Sequence, residues 1–128
     1  MRLLLDTVTF LWATLDDPRL SSRAREALTD PGNDVFLSAV SAWEIAVKHS
    51  LGRLPLPGRP AQFIAAQRSL HGIQSLPLEE GSALYVTHLP DLHGDPFDRI
   101  LICQAIVHGL ALVTPDHQIA QYPVRIIW

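Results

Sequence analysis

Residues 3–7 read LLLDT, a short continuous apolar run that ends at an aspartate and a threonine. Two further runs have the same character, VFL at 35–37 and LALVT at 110–114, and each follows a turn signal that contains glycine. Strands that are apolar throughout, rather than alternating, are typical of parallel sheets that are covered on both faces. We therefore predict buried parallel strands at these positions, with a weaker candidate at 73–76 and a last strand at 124–128.

Helical patterns separate the predicted strands. They begin near residues 10, 21, 38, 61, 79 and 96 and end near residues 16, 28, 51, 70, 88 and 108. Gly52 and Gly109 follow two of them as C-terminal stops, and the proline-rich stretch 54–58 is predicted to be an extended loop. This alternation predicts an α/β fold in which helices cover both faces of a mostly parallel sheet. With 128 residues, the chain suits a single domain, 1–128.

The composition excludes several classes of protein. A net charge of −3 is not the strongly basic balance of a protein that holds nucleic acid by phosphate contacts alone. The single cysteine, Cys103, excludes a disulfide framework, and six scattered histidines form no zinc motif. The apolar run at the N-terminus is too short for a signal peptide, and no stretch approaches a membrane span. We therefore expect a cytoplasmic protein.

Four acidic residues fall where the chain would leave the sheet. Asp6 and Asp116 come directly after predicted strands, Asp98 lies in the first turn of a helix, and Glu44 lies one or two turns into another. In open α/β sheets, ligands bind at the carboxyl ends of the parallel strands. The four carboxylates are therefore expected to meet at one edge of the sheet.

Each of these acids also has a purely structural interpretation. The carboxylates of Asp6 and Asp116 could cap the helical turns that follow, which is worth about 0.5–2 kcal/mol for each cap. Glu44 could close a capping box with Ser41, or form an ion pair with Lys48 one turn later for about 0.2–0.5 kcal/mol. Because the segment 38–48 is apolar nearly all round, Glu44 is expected to point into a partly enclosed space.

The stretch HGDPFDRILICQA at 93–105 places two aspartates at the mouth of an apolar helix. Asp95 precedes Pro96, and proline is favoured at the first helical position, so Asp95 is predicted to be the N-cap. Asp98 would then gain about 0.3–1 kcal/mol from the helix dipole. It shares a helix face with Leu101 and Ile102, which should be covered by the sheet or another helix. Burial of that face indicates a role for Asp98 beyond the dipole.

Carboxylates gathered at one edge would repel one another. Two unit charges about 4 Å apart repel by about 4 kcal/mol at an effective dielectric constant near 20. Such a cluster persists when protons or a divalent cation neutralise it. Oxygen ligands without cysteine or histidine favour Mg²⁺ or Mn²⁺ over zinc, and either ion can bind phosphate oxygens and activate water. An acidic protein of this kind can therefore act on a nucleic acid.

Five segments, in this order and spacing, resemble PIN-domain ribonucleases, specifically the VapC-type toxins of type II toxin–antitoxin systems. They are LLLDT at 3–7, SAVSAWEIAVK at 38–48, LPDLHGDPFDRILICQA at 89–105, LVTPD at 112–116 and YPVRIIW at 122–128. The resemblance covers nearly the whole chain and implies a three-layer α/β/α sandwich with a short, mostly parallel central sheet. The chain departs from the family at Val8, where such toxins often carry a polar residue, while Thr7 and Thr114 remain as hydroxyls near the carboxylates.

The resemblance implies a metal-dependent endoribonuclease whose catalytic and metal-ligating residues are Asp6, Glu44, Asp98 and Asp116. Asp6 and Asp98 are expected to hold one Mg²⁺ or Mn²⁺, with Asp116 ligating directly or through water. Glu44 would bind the metal or orient the attacking water. Attack of this water on an RNA phosphodiester would produce a 5′-phosphate. The resemblance also implies a homodimer and a VapB-type antitoxin, encoded next door, whose C-terminal segment lies in the active-site groove.

Two other functions remain open from the residues alone. A phosphatase or receiver-type domain also places an aspartate after its first strand, as a nucleophile, but it needs a lysine that reaches the phosphate, and Lys48 is the sole lysine. A non-catalytic binding module would use its acids only to cap helices. Arg99 is expected to be a solvated helix residue, and Trp43 is expected in the core or in an interface.

Overall fold

The computed structural model describes all 128 residues. The strands are β1 (Arg2–Leu5), β2 (Asp34–Ser38), β3 (Gln74–Leu76), β4 (Ala111–Val113) and β5 (Ile126–Ile127). They form one wholly parallel sheet in the order β3-β2-β1-β4-β5. The helices are α1 (Thr7–Thr14), α2 (Ser22–Thr29), α3 (Ala39–Ser50), α4 (Pro60–His71), α5 (Glu80–Leu84) and α6 (Pro96–His108), with short 3-10 helices at Tyr85–His88 and Ile119–Gln121.

Helices cover both faces of the sheet, which confirms the three-layer α/β/α arrangement. Successive side chains of a strand point to opposite faces, so Leu3 and Leu5 of β1 pack in one core while Leu4 packs in the other. The first core contains side chains from α1 to α4, and the second is built mainly on α6. Strands covered on both sides explain why β4 is apolar at every position and β1 at every position after the exposed Arg2.

Three elements differ from the predicted ones. Helix α1 begins at Thr7 rather than near residue 10. The prediction missed its first turn because Thr7, Val8 and Thr9 lack a helical apolar pattern. The predicted helix at 79–88 is divided into α5 and the 3-10 helix Tyr85–His88. Strand β5 has two residues because it pairs only with Leu112 and Val113 of β4.

Local capping signals define the starts of the two helices that carry Glu44 and Asp98. The Asp95 carboxylate accepts hydrogen bonds from the Phe97 and Asp98 amides, at 2.9 and 3.1 Å, and Pro96 is the first residue of α6. Asp95 is therefore the N-cap, as predicted. Helix α3 is capped by Ser38, whose hydroxyl accepts from the Val40 amide. Since Ser38 is the cap, the alternative capping box between Ser41 and Glu44 does not form.

The strand order places the ends of β1 and β4 side by side. From β1, the chain adds β2 and β3 on one side of the sheet, and it then adds β4 and β5 on the other side of β1. The order in which strands are added therefore reverses between β1 and β4, although all strands are parallel. Such a switch point opens a crevice at the carboxyl ends of the strands. The Asp6 amide and the Thr9 hydroxyl both donate to the Val113 carbonyl, at 3.1 and 2.8 Å, which joins the two strand ends. None of the helices has the length and apolar character needed to cross a membrane.

Candidate active site

An open cavity of about 280 Å³ lies at the switch point, and we call it the acidic cavity. Its acidic lining consists of Asp6, Glu44, Asp95, Asp98 and Asp116, and the rest consists of Thr7, Val8, Leu11, Ile45, Lys48 and Leu54. All four carboxylates expected to meet at one edge of the sheet therefore share this space. A larger groove of about 500 Å³ on another part of the surface contains no acid, histidine or cysteine, and it offers no comparable chemistry.

Asp6 follows β1 and is buried against the start of β4. Its side chain is 6% exposed and makes no capping hydrogen bond to α1, so capping does not explain this residue. The Oδ2 atom accepts a hydrogen bond from the Thr114 hydroxyl at 2.7 Å. Burial raises the pKa of Asp6 to about 7; the Thr114 hydrogen bond opposes this rise, and the charges of Asp98 and Glu44 add to it. A buried carboxylate at the switch point thus lacks a positive partner.

Glu44 reaches the cavity from α3 and does have a positive partner. Its Oε1 accepts a hydrogen bond from the Thr7 hydroxyl at 2.7 Å, and its Oε2 forms an ion pair with Lys48 one helical turn later. The hydroxyl of Ser41 lies 2.9 Å from that of Thr7 and supports it from within the same helix as Glu44. The hydrogen bond to Glu44 raises the pKa of Lys48. The predicted pair between Glu44 and Lys48 is therefore present.

Asp98 enters the cavity from the first turn of α6. Its Oδ2 lies 3.1 Å from His93 Nε2, in the loop that precedes the helix. Burial raises the pKa of Asp98 to about 6; the hydrogen bond with His93 opposes the rise, and the charges of Asp95 and Asp116 add to it. Placement at the helix N-terminus alone would favour the charged carboxylate. Burial and neighbouring carboxylates outweigh the dipole at this residue.

Asp116 is held by the turn that follows β4. Its Oδ1 accepts from the Gln118 amide at 2.8 Å, so the structural interpretation as a turn cap is realised here. The Asp116 amide donates to the Thr114 hydroxyl, which in turn donates to Asp6. Thr114 therefore links the aspartate after β1 to the aspartate after β4.

The carboxylates share the cavity without forming a ready-made metal site. No three acidic, histidine or cysteine side chains are arranged so that they could hold one ion together. Each of the four acids is drawn toward its own partner, whether hydroxyl, ammonium, imidazole or amide. The pairs Asp6–Asp98 and Asp98–Asp116 are nevertheless near enough for each charge to raise the pKa of a neighbour. A cation would have to draw these oxygens together.

Sequence reasoning missed His93 and misjudged Arg99, and of its two alternatives for Trp43, the core or an interface, only the core is excluded. The side chain of His93 is 6% exposed and contacts both Asp98 and Tyr122. The sequence could have indicated it by position, because His93 lies five residues before Asp98, in the loop that leads into α6. Arg99 is not solvated, because its guanidinium donates to the Pro90 carbonyl and to Tyr122. Trp43 is 61% exposed and packs on Phe97, so it lies outside the core of this chain.

We expect Thr114→Val to lower the free energy of unfolding by about 1–3 kcal/mol at pH 8 without metal, because a buried charged group loses its hydroxyl donor. Valine keeps the shape of the side chain and removes the link between Asp6 and Asp116. The loss should be smaller at pH 5, where Asp6 carries a proton. Urea unfolding at both pH values measures the difference, with Thr87→Val, an exposed threonine of the 3-10 helix, as control. Equal losses at pH 5 and pH 8 would count against this role of Thr114.

Comparison with known proteins agrees with this geometry. The family model of the PIN domain matches residues 3–124. Ribonuclease VapC16 of Mycobacterium tuberculosis is 36% identical over 108 residues, which cover 78% of this chain and 70% of the relative. Ribonuclease VapC22 of the same organism is 27% identical over 120 residues, covering 93% and 90%. Among solved structures, VapBC2 from Rickettsia felis bound to a promoter DNA fragment has a TM-score of 0.75 at 15% identity and covers 98% and 97%.

A second solved structure, VapBC-1 from nontypeable Haemophilus influenzae, has a TM-score of 0.63 at 18% identity and covers 98% and 96% of the two chains. The chain therefore belongs to the PIN-domain family, among its VapC-type ribonucleases. This confirms the resemblance seen in the sequence. Ribonucleases hydrolyse RNA, so the acidic cavity has to be considered as the site of a nuclease.

Proposed function

We propose that the acidic cavity binds Mg²⁺ or Mn²⁺ and that the protein uses it, as the toxin of a toxin–antitoxin pair, to hydrolyse RNA phosphodiesters. The observation that carries this proposal is the burial of Asp6 and Asp98, two mutually repelling carboxylates without a permanently charged cationic partner, at the switch point. Burial and mutual repulsion raise their pKa values, and a bound cation would relieve both effects. VapC ribonucleases of this family generally depend on a divalent metal.

The donor set fits a hard divalent cation. Carboxylate oxygens are the preferred ligands of Mg²⁺ and Mn²⁺, and the buried Cys103 does not line the cavity. Because Glu44 already has Lys48 as counter-charge, we assign Asp6 and Asp98 as the first ligands. Asp116 would then ligate the cation directly or through water. When bound, the cation supplies charge neutralisation for the phosphate and activation of a water molecule.

The remaining side chains hold these groups in place during the reaction. Thr114 keeps the Asp6 carboxylate oriented toward the cavity, and Thr7 does the same for Glu44. Glu44 would help to bind the cation or would orient the attacking water. The water would attack phosphorus in line with the leaving 3′ oxygen, and the bond to that oxygen would break, so that the products are a 5′-phosphate and a 3′-hydroxyl.

We expect Mn²⁺ to raise the thermal stability of the wild-type protein. A cation that binds only the folded state adds about 2.7 kcal/mol at a concentration 100-fold above its dissociation constant. Differential scanning fluorimetry with millimolar Mn²⁺, Mg²⁺ or EDTA at matched ionic strength measures this effect, and RNA cleavage in the same buffers tests the reaction. The same melting temperature in EDTA and in Mn²⁺, or undiminished cleavage in EDTA, would contradict a metal-dependent nuclease.

The two other functions considered from the sequence have little support in the geometry. An aspartyl nucleophile needs a lysine for the phosphate, whereas Lys48 is paired with Glu44. A module whose acids only cap helices is inconsistent with Asp6, which is buried and caps nothing. No observation favours either alternative over the nuclease.

We also propose that the protein is cytoplasmic, forms a homodimer and is silenced by a VapB-type antitoxin. The support is that the structural neighbours are VapBC assemblies and that Trp43, a residue type seldom left in water, is largely exposed. Co-expression with the product of the neighbouring gene, followed by co-purification and light scattering, tests both partners. A monomer that leaves the neighbouring product unbound would contradict the assembly.

A further inference from the structure

A buried histidine connects Asp98 to the C-terminal part of the chain. His93 lies in the loop between the 3-10 helix Tyr85–His88 and α6. Its Nε2 lies 3.1 Å from Asp98 Oδ2, and its Nδ1 lies 2.7 Å from the hydroxyl oxygen of Tyr122. Tyr122 is 3% exposed and follows the 3-10 helix Ile119–Gln121. Two segments distant in sequence therefore meet behind one of the cavity's carboxylates.

The hydrogen bonds around Tyr122 define which nitrogen of His93 carries the proton. The Tyr122 oxygen accepts from the His93 amide at 3.1 Å and from Arg99 Nη1 at 3.0 Å. Both are obligatory donors, so the tyrosine hydroxyl has to donate its hydrogen bond to His93 Nδ1. The N–H group at Nε2 then donates a hydrogen bond to Asp98. Every donor and acceptor in this chain of contacts is satisfied with a neutral imidazole, a tautomer assigned from the network.

Arg99 anchors the other end of the network. Its guanidinium, 15% exposed, also donates to the Pro90 carbonyl at 3.0 Å, which holds the loop that carries His93 against α6. Through His93, the network therefore forms a hydrogen bond with the Oδ2 atom of Asp98. The Oδ1 atom has no hydrogen-bond partner, and Asp98 lines the acidic cavity.

We propose that Tyr122, Arg99 and His93 are positioning residues that fix the Asp98 carboxylate and thereby set the affinity of the acidic cavity for a divalent cation; this inference rests on the proposed function. None of the three lines the acidic cavity. Groups that orient a metal-ligating side chain from behind typically change metal affinity by about 10–100-fold when they are removed. Tyr122 is the decisive member, because it joins Arg99 to the imidazole of His93, whereas Arg99 itself reaches only the His93 carbonyl, at 3.4 Å.

Tyr122→Phe tests the inference because it removes only the hydroxyl. We expect isothermal titration of the full-length protein with Mn²⁺, without RNA, to give a dissociation constant about 10–100-fold weaker than that of the wild type. Tyr85→Phe is the matched control, since the hydroxyl of Tyr85 makes no hydrogen bond within the chain and its ring packs on His88. This control should bind Mn²⁺ as the wild type does.

A second readout separates positioning from a general loss of structure. In RNA cleavage assays, Tyr122→Phe should shift the Mn²⁺ concentration at half-maximal rate by the same factor, while the rate at saturating Mn²⁺ stays close to that of the wild type. A merely structural role would lower the rate at every Mn²⁺ concentration. His93→Gln, which keeps an amide donor for Asp98, should bind Mn²⁺ at least about tenfold more tightly than His93→Ala, and this pair carries the test if Tyr122→Phe does not fold.

The outcomes distinguish the two levels of the proposal. Wild-type Mn²⁺ affinity in Tyr122→Phe would overturn the positioning role and leave the metal-dependent nuclease intact. Equal binding by His93→Gln and His93→Ala would overturn it as well. A wild-type protein that binds no Mn²⁺ would overturn the metal site and the positioning role together.

Discussion

Asp98→Asn is expected to abolish metal-dependent RNA cleavage while the fold survives. Asparagine keeps the shape of the side chain and an oxygen that can accept from His93, so the loop and α6 should remain in place. It removes one negative charge from the cavity, and with it the attraction for a divalent cation. Because Asp98 is proposed to touch the cation directly, we expect the rate to fall by more than about 100-fold, the upper end for groups that act behind a ligand.

The cleavage of an RNA with a labelled 5′ end at matched Mn²⁺ concentration measures this loss. Asp34→Asn is the matched control, because Asp34 is exposed at the start of β2, on the opposite edge of the sheet. Circular dichroism and melting without metal show whether each variant folds. Cleavage by Asp98→Asn within about tenfold of the wild-type rate would rule out Asp98 as a metal ligand.

The free energy of unfolding of the metal-free protein is expected to fall as the pH rises from 5 to 8. The pKa of Asp6 is about 7 in the folded protein, against an ordinary value of 3.8. Between these values the folded state keeps a proton that the unfolded state has released, so each rise in pH favours unfolding. Asp98, with a folded pKa of about 6, adds to this effect in the lower part of the range. The combined loss should be on the order of a few kcal/mol.

Urea unfolding in EDTA at several pH values between 5 and 8 measures this slope. Asp6→Asn should flatten it and should make the metal-free protein more stable than the wild type at pH 8, because a buried charge is replaced by a neutral group of the same size. In the wild type, saturating Mn²⁺ should restore at pH 8 the free energy of unfolding that is lost without metal. Asp34→Asn should keep the wild-type slope, since that side chain is exposed. If the free energy of unfolding of the wild type is constant or increases from pH 5 to pH 8, the pKa of Asp6 is not raised in the folded protein.

Much of the fold was accessible from local sequence signals. The apolar runs at 3–5, 35–37 and 110–113 are buried strands because both faces of a parallel sheet are covered, so no polar side is needed. Asp95, Pro96 and Gly109 predicted the bounds of α6 correctly, since capping depends on a few neighbouring residues. Helix α1 escaped the same reasoning because its first turn, Thr7 to Thr9, is held by contacts with β4 and α3 rather than by its own pattern.

The sequence by itself determined most of the elements that form and the four acids that follow strands or lie in the first turns of helices: Asp6, Glu44, Asp98 and Asp116. Only the tertiary structure decided what each acid faces. The strand order brings Thr114 to Asp6 across 108 residues of chain, and loop and C-terminal contacts bring Tyr122 to His93 across 29. Local signals encode periodicity and caps within a few residues, whereas burial, hydrogen-bond partners and mutual repulsion arise only when distant segments pack. The sequence thus predicts that the carboxylates meet, and the packing decides which of them lacks a positive partner.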